Sequence, residues 1–137
     1  MDILDNLKII NGRISHLKER HEALETRLGP HSPNLTEDRV KTTPSDKATM
    51  LLAVLADISV EIDRLEEEKE SLASDLMDLI KAADLTPDET IVMRLRYIYG
   101  AKWYDVADAM YLSPRYVYKL HGEALYKLRK VNNNETA

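Results

Sequence analysis

The sequence predicts an all-α protein: a long antiparallel helical hairpin of coiled-coil character, followed by a small C-terminal helix-turn-helix domain. Three observations predict it. Apolar residues recur in alternating steps of four and three through residues 3–28 and again through 51–83, which is the seam of paired helices. Residues 86–130 break into shorter helical stretches separated by turn residues. All the aromatic residues, Trp103 and seven tyrosines, lie between positions 97 and 126.

The first seam reads Ile3, Leu7, Ile10, Ile14, Leu17, His21, Leu24, Leu28. Gly29 and Pro30 are expected to stop that helix, and the proline-punctuated stretch 29–45 to be a loop. A second helix is expected from near Thr43, Pro44 or Ser45, with the seam Leu51, Leu55, Ile58, Ile62, Leu65, Lys69, Leu72, Leu76, Leu79, Ala83. Read in reverse, the seams pair Leu28 with Leu51, Leu24 with Leu55, His21 with Ile58, Leu17 with Ile62, Ile14 with Leu65, Ile10 with Lys69 and Leu7 with Leu72. Residues 1–85 therefore read as a hairpin and oligomerisation region. His21 and Lys69 are tolerated or register-setting polar residues on its seam, and the run Glu66 to Glu70 is a solvated face.

Residues 48–62 are apolar around most of the circumference, and such a helix is buried on more than one side. One partner helix cannot cover that surface. A homodimer or larger even oligomer is expected, with Leu52, Ala56 and Val60, which lie off the intrahairpin seam, at its interface; packing back onto the C-terminal module is the alternative.

Asp84 and Leu85 join the hairpin to a domain at 86–131. Thr86 and Glu89 form a capping box with Pro87 at the first helical position. The helix that follows is expected to reach about Tyr99, with Ile91, Leu95 and Ile98 inward and Gly100 closing it. Trp103 then opens a short helix as a core anchor, with Val106 and Met110 on one face and Ala107 small at a helix crossing. Leu112 plugs the turn, Ser113 caps the last helix, and Pro114 starts it. Val117, Leu120, Ala124 and Leu128 bury one side of that helix, and His121 sits on the inner side. The end of the chain, 132–137, reads as a flexible tail.

Composition narrows the function. The chain has no Cys and four His without ligand spacing, so neither a disulfide nor a metal site is expected. The sequence contains no glycine-rich phosphate loop, nucleophile elbow or catalytic carboxylate pair, so neither a cofactor nor an enzymatic role is expected. No apolar run is long enough to span a bilayer, and the acidic start is unlike a signal peptide, which points to a cytoplasmic protein. The net charge of −5 is divided unevenly. Residues 1–85 carry 11 basic and 18 acidic side chains, hence −7, whereas 86–137 carry 8 and 6, hence +2. Within 112–131 the count is five basic against one acidic, which places the candidate anion-binding surface on the last helix.

Double-stranded DNA is the expected partner. Arg115, Tyr116, Tyr118, Lys119 and Gly122 lie on or beside the face opposite the core, where a recognition helix meets base edges in the major groove. Ser113, Lys127, Arg129 and Lys130 are the expected phosphate contacts, supplying affinity and salt dependence.

The strings IVMRLRYIYG at 91–100, WYDVADAM at 103–110 and ALYKLRK at 124–130 resemble the C-terminal promoter-reading domain of bacterial sigma factors. Still closer is the resemblance to sigma-like regulators of phages and prophages of Gram-positive bacteria, of the ArpU and RinA type, with YKLHGEAL at 118–125 its most specific segment. It implies transcriptional control of phage genes in a bacterial host cell through promoter DNA, with host RNA polymerase as a further partner. Nothing in residues 1–85 resembles the parts of a full sigma factor that clamp polymerase, so an accessory regulator is implied. Tyr111 stands where such turns usually carry Gly. Two other readings use the same residues: a small terminase-like packaging protein, and a module whose hairpin binds polymerase or another regulator.

Overall fold

The computed structural model describes residues 2–28 and 42–136, and every regular element among them is a helix. These are α1 (Asp2–Leu28), α2 (Thr42–Ala83), α3 (Pro87–Met93) with a π-helical continuation (Arg94–Ile98), α4 (Trp103–Met110) and α5 (Pro114–Thr136). The expected stop at Gly29 and Pro30 and most of the expected 29–45 loop lie outside the described residues. Its end is corrected: helical backbone already begins at Thr42. Pro44 then falls in the first turn, where its missing N–H leaves no helical bond unmade. The tail at 132–137 is corrected too, because α5 stays helical through Thr136.

The chain divides into two compact units, Met1–Gly12 with Glu68–Ala137, and Arg13–Glu67. This division differs from a cut at residue 85. The start of α1 and the end of α2 build a common core with the C-terminal helices, because Leu4, Leu7, Leu76 and Ile80 join Met93, Tyr97, Ala124 and Leu128 in one buried cluster.

In the Arg13–Glu67 unit, Ile14, Leu55 and Leu65 are buried, while Leu17, Leu24, Leu51, Ile58 and Ile62 are partly covered. The contacts descend along α1 as they ascend along α2: His21 Nε2 lies 3.2 Å from Ser59 Oγ, and Lys18 Nζ lies 3.2 Å from Glu66 Oε1. That is the order of helices running in opposite directions. Ser59, one residue beyond the expected Ile58, gives the seam histidine a polar partner.

Around α3, a second cluster joins Val92, Val106, Ala107, Val117 and Leu120, with Leu95, Ala101, Trp103, Met110 and Leu112 against it. The inward face of α3 is corrected at Ile91, which is 43% exposed; Leu95 and Ile98 pack against the cores as expected, and the buried apolar residues are Val92, Met93 and, past the π turn, Tyr97. Two cores flank this short helix, so the adjacent residues Val92 and Met93 are both covered, one by each cluster. The wider π turn sets Tyr97 one turn after Met93. Tyr99 N–H donates to Arg94 O at 3.1 Å, and Gly100, with φ of 69°, ends the segment. A Cβ there would sit 3.3 Å from Asn11 Cγ, whose own amide donates to Tyr97 O at 2.8 Å.

Candidate nucleic-acid interface

The geometry of α5 begins one helix earlier. After Met110 the backbone of Tyr111 enters the left-handed region, with φ of 56° and ψ of 38°. Leu112 N–H donates to Ala107 O at 3.0 Å and Tyr111 N–H to Asp108 O at 3.2 Å, closing α4 with a Schellman motif. Leu112 and Ala107 meet in the apolar cluster beneath, which supplies the hydrophobic contact of that motif. The turn demands positive φ, and a tyrosine adopts it at a cost of about 1–2 kcal/mol. Ser113 Oγ then accepts Tyr116 N–H at 3.2 Å, with Pro114 first in α5, the cap expected from sequence.

From that start α5 buries Val117, Leu120, Ala124 and Leu128 and leaves Arg115, Tyr116, Tyr118, Lys119, Gly122, Tyr126, Arg129 and Lys130 exposed. The five expected base-facing residues thus share the solvent side of one helix. Tyr118 is held by a tilted contact with the Trp103 ring at 5.3 Å, and Lys119 lies 6.0 Å from the Tyr116 ring. Gly122 is open: a Cβ there meets nothing within 4 Å. The packing of this chain therefore gives no reason for a glycine, which costs about 1 kcal/mol relative to Ala inside a helix.

Beneath the exposed face, His121 stacks edge-on against Trp103 at 4.5 Å and bonds to the Tyr97 hydroxyl at 2.8 Å. Burial pushes His121 down to about 4, with Arg96, Lys8 and Arg129 acting in the same direction. It packs and hydrogen-bonds on the inner side of the helix, as expected. Arg96, unremarked in the sequence, sits 4.6 Å over the Trp103 ring and donates to Ala101 O at 3.0 Å. Trp103 is thereby clamped between α5 and the π segment.

Lys127 is corrected. Its ammonium lies 2.8 Å from Oε1 of Glu89, a side chain only 1% exposed, and the same oxygen accepts Thr86 N–H at 3.0 Å. Burial alone raises the Glu89 pKa, but the bonds from Lys127 and Thr86 outweigh it and hold the carboxyl below its ordinary value. A cation committed to a buried carboxylate is not presented to a phosphate. Arg129 and Lys130 remain on the surface, the latter 5.9 Å from the Tyr126 ring. The sequence shows Glu89 only as a capping-box residue; its second partner lies 38 positions away and carries no local signal.

Elsewhere, Leu52 and Val60 are 59% and 68% exposed, and Ala56 is exposed beside them on α2. Met50 and Val54 are also exposed, on a different side of the same helix. Among the described residues, no group of His, Asp and Glu is arranged to hold a metal ion, and no helix is long and apolar enough to cross a membrane. No family model, curated protein or solved structure matches this chain.

Proposed function

We propose that the protein is a sequence-specific DNA-binding transcriptional regulator. In this reading α4, the turn at 111–113 and α5 form a helix-turn-helix, and α1 with α2 forms a hairpin that joins copies into a dimer or larger even oligomer. One observation carries it: a single helix, capped at Ser113 and anchored by Val117, Leu120, Ala124 and Leu128, leaves Arg115, Lys119 and the bare Gly122 backbone together in solvent. This is the presentation a major groove requires. Arg115 and Lys119 suit guanine O6 and N7, while Arg129 and Lys130 suit phosphates farther along. The exposed Leu52, Ala56 and Val60 support self-association.

The resemblance of residues 86–130 to sigma-like phage regulators adds the biological setting: control of phage or prophage genes inside a bacterial host, with RNA polymerase as a further partner. Arg115→Ala tests the groove assignment. It is expected to weaken the preferred duplex by about 1–3 kcal/mol and to relax preference at one position. Equal loss on preferred and scrambled duplexes refutes the assignment. A ring of eight or more subunits favours the terminase-like reading, and wild-type protein that binds neither duplex favours the interaction module.

A further inference from the structure

Three described residues have positive φ: Gly100, Asp84 and Tyr111. Glycine has no Cβ to clash, and Asp tolerates the left-handed region through local hydrogen bonds. Tyr111 is the exception. Its ring offsets none of the strain by packing, because the residue is 95% exposed. Leu112, its neighbour, fills the cluster beneath the turn instead. The fold requires the backbone conformation at 111 and makes no use of the side chain there, and strain of this kind collects where a residue serves a partner.

Place and chemistry indicate which partner. Tyr111 stands two residues before the Ser113 cap and four before Arg115, at the foot of the helix assigned to the groove. When the first residues of a recognition helix reach base edges, the turn before them passes beside the flanking strand. A tyrosine suits that strand: it is uncharged, its hydroxyl donates to phosphate oxygen, and its ring packs on deoxyribose. We infer that Tyr111 is a DNA-backbone contact, its ring against deoxyribose and its hydroxyl donating to a phosphate at the edge of the groove that α5 enters. The inference rests on the DNA-binding reading above.

A backbone contact is independent of sequence, so a randomised duplex pool is a sufficient probe. Binding of the full-length wild type, Tyr111→Gly and Tyr111→Phe is measured across a salt series, alongside thermal unfolding. Tyr111→Gly is expected to unfold no lower than wild type, because relief of strain offsets the added freedom of its unfolded chain. Its affinity is expected to fall about fivefold or more on every duplex, with the slope of log affinity against log salt unchanged, since no cation is removed. Tyr111→Phe, which loses only the hydroxyl, is expected to lie between. Wild-type affinity in Tyr111→Gly overturns the inference while leaving the DNA-binding reading intact. If the wild type binds no duplex, both fall, and Tyr111 is then better read as a contact for a protein.

Discussion

Replacing Lys127 with Met keeps most of the aliphatic stem and removes the ammonium that sits 2.8 Å from Glu89. The carboxylate left behind is 1% exposed and retains only the Thr86 N–H on the oxygen concerned. A hydrogen bond to a charged group contributes about 1.5–3 kcal/mol, and removing one partner of a fully buried pair costs about 3–5. The Lys127 side chain is itself 36% exposed, so water reaches part of the vacated position and the lower range applies, about 1.5–2.5 kcal/mol. Urea unfolding at neutral pH reads this directly. The pH dependence gives a second check. Glu89 is depressed in the folded protein, so its pairing contributes fully above the ordinary carboxyl range and is lost as pH falls through the folded value. The gap between wild type and Lys127→Met therefore narrows in acid, as the stranded carboxyl takes up a proton. In DNA titrations Lys127→Met leaves the salt slope unchanged, whereas Arg129→Ala lowers it by about 0.9. Unfolding of Lys127→Met within about 0.5 kcal/mol of wild type refutes the account of the buried pair.

Gly122→Ala is expected to stabilise folding by about 1 kcal/mol, since nothing crowds the new methyl, and to weaken duplex binding; paired unfolding and titration curves check both signs. His121 stays neutral down to about 4 in the folded protein, whereas an unfolded imidazole protonates near 6.5. Stability should therefore decline across that window by up to about 3 kcal/mol, and the slope of urea midpoint against pH should flatten in His121→Gln. Leu52→Asp is expected to lower the mass measured by light scattering with helical content retained, because Leu52 lies 59% exposed on α2, outside the buried core.

Much of this organisation is legible in the sequence because it is periodic or local. The α1 and α2 seams, the Thr86 capping box, the Ser113 cap and the buried stripe from Val117 to Leu128 depend on residues a few positions apart. What escapes is what distance or irregular backbone decides. A π turn cannot be read from spacing, so Ile91 falls outside the covered face while Val92, Met93 and Tyr97 join it, and Leu95 and Ile98 pack against the cores as expected. Lys127 looks like any cation on a basic helix until its wheel position brings it to Glu89. The clamp of Arg96, Trp103 and His121 joins three elements with no shared motif. The candidate site itself was legible because its solvent face is the complement of its core face, and a helical wheel yields both together.

The central claim is that the solvent face of α5 meets DNA, and amide NMR of labelled protein titrated with a duplex tests it most directly. The account predicts shifts concentrated at Tyr111, Arg115, Lys119 and Gly122, with Ala124 and Leu128 quiet beneath them. Shifts confined to α1 and α2, or none at saturating duplex, contradict it.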